Sequence, residues 1–131
     1  MRFGQTVPAL PARDVGRAGR FYAEHLGFDS VHAEDGFAIL RRDGAEVHVW
    51  GASDESWRDR IGTEPVRSGA ESFIAGTASC RIAVEGIAQL YEASNAAGIV
   101  HPNGHLRETD WGTREFGILD PDGNLVTFFE R

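Results

Sequence analysis

The chain has 131 residues, 41% of them hydrophobic and 25% charged, which is about one ordinary globular domain. A formal net charge of −7 argues against a nucleic-acid partner. No apolar run is long enough to cross a bilayer, and the opening MRFGQTVPALP has no signal-peptide core, so a cytoplasmic protein is expected. The single cysteine, Cys80, excludes an internal disulfide framework and any Cys-x-x-Cys site, and all thirteen basic residues are arginine.

Val7 to Ala12 reads as an extended segment, and Pro8 and Pro11 within it remove ladder donors. It therefore belongs at a sheet edge or to an exchanged strand. Asp14 is a good N-cap for a helix to about Leu26, with Phe21, Tyr22 and Leu26 on its apolar side and Gly27 as the stop. Strands are expected at 28–33, 37–42 and 45–50, the last two joined by Asp43-Gly44, a strong hairpin signal. Residues 51–76 form a connection longer than loops without internal structure or a task usually run. A short helix is expected there, with Ser53, Asp54 and Glu55 at its start and Arg58 and Arg60 near its end; Trp57 and Phe73 are the aromatics of the otherwise polar segment, as its packing anchors or as a cover for a ligand. A strand at 77–84, a helix at 87–97, a short strand near Val100, and strands at 113–119 and 125–130 around Asp122-Gly123 complete the chain.

Residues 37–50, FAILRRDGAEVHVW, align without a gap on residues 116–129, FGILDPDGNLVTFF. Phe37, Ile39, Leu40, Asp43, Gly44 and Val47 recur as Phe116, Ile118, Leu119, Asp122, Gly123 and Val126. The unit strand, helix, three strands is thus used twice. The expected fold is α+β, a single domain of two tandem βαβββ modules (1–50 and 77–131, joined by 51–76) forming a curved mixed sheet with a cleft.

Three runs carry a family resemblance: Phe21-Tyr22…Leu26-Gly27-Phe28, Trp111-Gly112-Thr113-Arg114-Glu115-Phe116, and Asp120-Pro121-Asp122-Gly123-Asn124. With the paired modules, they resemble the vicinal oxygen chelate superfamily, also called the glyoxalase/bleomycin resistance/dioxygenase family. The similarity covers essentially the whole chain, but these runs mark the scaffold and do not choose among activities.

Enzymes of that superfamily hold a divalent metal with His and Glu on the first and last strands of each module, because such cations need several converging donors. By the resemblance those positions fall on Val7, His48, Ser79 and Thr127. One imidazole among them does not make a catalytic metal site, so no cofactor is expected. His101 and His105 have helical i, i+4 spacing, but Pro102, Asn103 and Gly104 between them point to a loop. His25 and His32 read as surface or cap residues, and no catalytic triad or dyad pattern is present.

Within the superfamily, the branch without metal ligands is the bleomycin resistance proteins, which sequester bleomycin-type glycopeptides. Val7 to Val15 (VPALPARDV), Asp35-Gly36-Phe37-Ala38 and the Trp111 run are similar to that branch. The resemblance implies a bleomycin-type antibiotic, possibly metal-loaded, as the bound partner. Its flat bithiazole and cationic tail would want aromatic faces and carboxylates. The candidate ligand-binding residues are Asp35, Phe37, His48, Trp50, Trp57, Asp110, Trp111, Arg114 and Phe116, with Glu55 as a further acid. Phe37 and Phe116, being repeat equivalents, also read as matching core residues, and Trp111 as a module-closing one. The resemblance further implies a homodimer with an exchanged first strand and two clefts. A metal-dependent glyoxalase, dioxygenase or thiol transferase using His48, and a carrier of another small molecule, are the alternatives.

Overall fold

A computed structural model describes residues 1–52 and 74–131. The short helix expected in the connection, with Ser53, Asp54 and Glu55 at its start and Arg58 and Arg60 near its end, and the aromatics Trp57 and Phe73 of that segment lie outside the described residues. The first module comprises β1 (Ala9–Ala12), α1 (Val15–Leu26), β2 (Asp29–Glu34), β3 (Phe37–Arg42) and β4 (Ala45–Gly51). The second comprises β5 (Ser79–Ala83), α2 (Ile87–Ala96), β6 (Arg107–Glu108), β7 (Arg114–Leu119) and β8 (Leu125–Glu130). They form two four-stranded mixed sheets, ordered β1-β4-β3-β2 and β5-β8-β7-β6.

The Asp14 carboxylate accepts the Arg17 N–H at 3.0 Å, and Gly27 closes α1 at φ 67°, a conformation that favours glycine. Val15, Ala18, Tyr22 and Leu26 are the buried face of α1. Their spacing of three and four residues makes one stripe, which packs on β2, β3 and β4. Helix α2 has no side-chain cap of its own. Glu130, at the end of β8, supplies the acceptor by taking the Gly86 N–H at 2.7 Å. β1 lies at a sheet edge and pairs in parallel with β4 alone, the place its prolines permit. The strand expected near Val100 is reduced to an isolated bridge with Ile118, and the two-residue β6 was not foreseen.

The two hairpins differ by one residue of register. In the first, Asp43-Gly44 closes Arg42 on Ala45, so Phe37 faces Trp50 and Ile39 faces His48. In the second, five residues separate the pair Leu119 and Leu125, and Phe116 faces Phe128. The longer turn folds around Asp120, whose Oδ1 accepts the N–H groups of Asp122 and Asn124, both at 2.9 Å, an arrangement a two-residue turn has no room for. A slip of one residue reverses every side chain on a strand. Ala38 and Leu40 of β3 are therefore matched in the core by Phe116 and Ile118 of β7, while Phe37 and Glu115 occupy the opposite faces.

The modules are clasped by the Asp120–Asn124 turn. Asn124, fully buried, donates through Nδ2 to the Pro11 carbonyl at 2.8 Å and to Asp120 Oδ2 at 3.0 Å. Its Oδ1 accepts the Gly76 and Ala78 N–H groups. The Asp122 carboxylate takes the Arg13 N–H at 2.9 Å. Gly76, at φ 89°, admits no side chain, since a Cβ there would lie 2.5 Å from the Asp122 carbonyl oxygen.

Candidate functional site

Each sheet buries one face against its helix and turns the other away from it. On the first sheet the cross-strand pairs Phe37–Trp50, Ile39–His48 and Arg41–Glu46 share that second face, because opposite residues in a ladder point the same way. Ala9 lies beside His48 in the parallel register. The Phe37 ring meets His48 edge-on at 5.2 Å between centroids. His48 Nε2 lies 2.9 Å from Glu46 Oε2. Arg41 donates to the same carboxylate, and these bonds, that of Arg41 foremost, hold Glu46 below the usual carboxylate range. The Trp50 Nε1–H is buried and has no hydrogen-bond partner among the described residues, an arrangement that costs about 1–3 kcal/mol when nothing compensates it.

On the second sheet the corresponding face carries Arg81, Thr127, Gly117, Glu115 and Phe129. Glu115, only 5% exposed, is its electrostatic centre. Arg81 grips it bidentately at 2.9 and 2.8 Å, Thr113 Oγ1 donates to it at 2.6 Å, and the Trp111 Nε1–H donates at 3.2 Å. These donors, the Arg81 guanidinium first, hold its pKa down to about 2 against the cost of desolvation. Arg81 also sits 4.8 Å over the Phe129 ring.

The sequence-derived residues separate on this map. Phe37, His48 and Trp50 come together on the first sheet, and Asp35 is exposed in the turn leading to β3. Trp111, 64% exposed, stands beside Asp110 in the turn before β7, so it does not close a core. Phe116 is 2% exposed and packs on Tyr91 of α2 and on Phe128; the register slip carries it to the side opposite Glu115. Arg114 shares that helix-facing side and binds Glu130 at 2.6 Å. Trp57 lies outside the described residues. Arg81 and Glu115 were not singled out from sequence. The available signal was a charged side chain set among apolar ones, Arg81 within SCRIA and Glu115, beside Arg114, at the head of REFGIL.

The four metal positions implied by the resemblance can be located on the sheets. Val7 precedes β1, and the residue beside His48 is Ala9; the residue beside Thr127 is Arg81, two positions past Ser79. Val7 and Ser79 stand two residues before these neighbours, and an isopropyl group and a hydroxyl offer a divalent metal no good ligand. His48 is left with Thr127 as the other last-strand residue, a donor set that does not fit a catalytic divalent metal. Among the described residues no group of three or more His, Cys, Asp or Glu side chains could hold a metal ion. His101 and His105 lie in a loop as expected: His101 Nδ1 accepts the Asn103 N–H and His105 Nδ1 lies 2.7 Å from the Tyr91 hydroxyl. Burial pushes the Cys80 thiol up to about 11, which removes it as a nucleophile at neutral pH.

A groove of about 990 Å³ runs between the modules, lined by Leu26, Phe28, Ile82, Val84 and Phe128 among others. Phe37, Trp50, Trp111 and Glu115 are absent from its walls. The groove has Phe28 and Phe128 among its walls together with charged residues such as Arg42, Glu46 and Arg81, whereas Phe37, Trp50 and Trp111 stand outside it. No described helix is long and apolar enough to cross a membrane.

The model of the Glyoxalase/Bleomycin resistance protein/Dioxygenase superfamily matches residues 2–128. The chain is 52% identical over 127 residues to a bleomycin resistance protein of Geobacillus stearothermophilus, across 97% of this chain and 96% of the relative. Among solved structures it is similar to the bleomycin-binding protein of bleomycin-producing Streptomyces verticillus complexed with copper(II)-bleomycin, with a TM-score of 0.70 and 26% identity over 98% of this chain and 96% of the other. A lactoylglutathione lyase of Agrobacterium tumefaciens shares the fold with a TM-score of 0.76 at 20% identity, over 97% of this chain and 92% of that one.

Proposed function

The chain belongs to the glyoxalase/bleomycin resistance protein/dioxygenase superfamily, and from that membership we propose that it gives antibiotic resistance by binding bleomycin-family glycopeptides stoichiometrically, without modifying them. The observation that carries this reading is the 52% identity to a bleomycin resistance protein along nearly the whole of both chains. Its chemistry is compatible: a flat bithiazole stacks on rings such as Phe37, Trp50 and Trp111, and Glu46, Asp35 and Asp110 meet a cationic tail. Trp50 has a buried N–H to offer a ligand acceptor.

The protein works without metal and is not an enzyme in this reading. What supports it is the donor set, in which His48 has only Val7, Ser79 and Thr127 at the other ligand positions that the family resemblance implies. It acts in the cytoplasm as a homodimer with an exchanged first strand. β1 is an edge strand joined to β4 alone, so a partner's β1 could replace it with every ladder bond retained. The open face of the first sheet in one protomer would then lie over that of the second sheet in its partner, each cleft drawing on both chains.

Titration with metal-free and copper-loaded bleomycin, read by tryptophan fluorescence, tests the proposal. One ligand should bind per chain and be recovered with its mass unchanged, and protein purified without chelator should carry no stoichiometric transition metal. Failure to bind either form, or a stoichiometric metal whose loss on mutating His48 removes a catalytic activity, would overturn it.

A further inference from the structure

Trp111 is a large apolar side chain kept in solvent, 64% exposed, and its one hydrogen bond ties the indole edge to a carboxylate that is itself almost completely buried. The turn beneath it is stiff. Thr109 and Thr113 are joined through backbone and hydroxyl groups, including Thr109 N–H to the Thr113 carbonyl at 2.8 Å and Thr113 N–H to Thr109 Oγ1 at 3.1 Å. Gly112 supplies the positive φ of 86° that the turn requires. Below it, Glu115 spends its other acceptor positions on Arg81 and Thr113, so the carboxylate cannot swing away from the indole. Arg107 approaches the ring at 5.9 Å from its centroid.

We propose that Glu115 is the positioning residue of the site: braced by Arg81 from β5 and Thr113, it anchors the Trp111 indole by its Nε1–H and presents the ring, ready oriented, to a planar heteroaromatic group of the ligand. This rests on the reading of the protein as a bleomycin binder for the identity of that group. An exposed indole free to rotate would lose rotamer entropy on stacking; one already fixed does not, and binds more tightly for it. The register slip between the hairpins is what makes this possible, since it turns Glu115 and not Phe116 toward the open face.

The test is a double-mutant cycle of Glu115→Gln with Trp111→Ala, read as the affinity for copper-loaded bleomycin, beside a ligand-free measurement of the ring. Glu115→Gln should weaken binding by about fivefold in the parent and leave the affinity of Trp111→Ala unchanged, because its effect passes through the indole. Equal weakening in both backgrounds would overturn the proposal. In a chain whose only indole is Trp111, with Trp50 and Trp57 replaced by Phe, Glu115→Gln should add fast depolarisation to the fluorescence anisotropy decay and raise quenching by acrylamide. An unchanged decay would equally overturn it. This second measurement needs no ligand, so a parent protein that fails to bind bleomycin would sink the functional reading and leave the anchoring of Trp111 separately decided. Should Glu115→Gln not fold, Arg81→Leu releases the carboxylate from its main brace and is expected to behave in the same way in both measurements.

Discussion

The Tyr22 hydroxyl donates to Asp120 Oδ2 at 3.0 Å, joining α1 of the first module to the closing turn of the second across 98 residues. Tyr22 is fully buried, and burial, followed by the Asp120 carboxylate, pushes its pKa well above the usual tyrosine range. The hydroxyl therefore keeps its proton, and its bond to Asp120, beyond the pH at which an ordinary tyrosine ionises. Tyr22→Phe keeps the ring and removes the donor, at an expected cost of about 1–3 kcal/mol. The check is a lowered urea midpoint at unchanged slope, with ligand affinity unaffected, because the bond lies on the helix side of the sheets.

Phe37 and Phe116 should respond in opposite ways to the same substitution. Phe116→Ala opens a cavity among Tyr91, Phe128 and Ile118 and should cost about 3–5 kcal/mol of stability. Phe37 is only half-buried and lies beside His48 and Trp50; its replacement should cost about 1–2 kcal/mol and chiefly lower affinity. Melting temperature and bleomycin affinity measured on both variants decide this.

Trp111→Ala should weaken bleomycin binding about tenfold or more through lost stacking and burial. Its melting temperature should barely move, as befits a ring 64% exposed. A large loss of stability with unaltered affinity would remove Trp111 from the site.

Glu115 makes acid stability a readout of its clamp. Its folded pKa of about 2 lies below the ordinary value of 4.5. The unfolded chain therefore binds the proton more readily, and the stabilisation is fully present above pH 4.5 and lost as the pH falls toward 2. In Glu115→Gln the urea midpoint should fall less steeply over that interval than in the parent. Arg81→Leu, which leaves the buried carboxylate without its main partner, should cost about 1–3 kcal/mol at neutral pH, the half-exposed guanidinium keeping the figure modest.

A homodimer in solution should show twice the chain mass by light scattering at working concentrations. If the first strand is exchanged, mixing differently tagged dimers should give hybrids only slowly or after partial denaturation. A monomer that binds bleomycin with full affinity would remove both the exchange and the shared clefts.

Local chemistry made much of the fold legible. Asp14 and Gly27 marked both ends of α1, Asp43-Gly44 placed the first hairpin, and the prolines of β1 put it at an edge. What sequence did not reveal was which way strands face. The gapless match of 37–50 to 116–129 pairs Phe37 with Phe116, yet a two-residue turn and a five-residue turn close the two hairpins at different registers. Register depends on which residues bond across a turn, and that information is absent from a string comparison. The same limit explains why Glu115 was passed over inside a run read as scaffold: its importance comes from Arg81, 34 residues away, and from Trp111 above it.

Asn124 also sets an order on how the molecule comes into being. Its amide donates to the Pro11 carbonyl 113 residues earlier in the chain, so β1 is synthesised well before the turn that completes its side of the clasp. Contacts so distant in sequence form late and slow the search for the native state. A growing chain therefore carries the first module without its clasp until the second is made, an interval in which aggregation, or pairing with a second nascent copy, competes with completion.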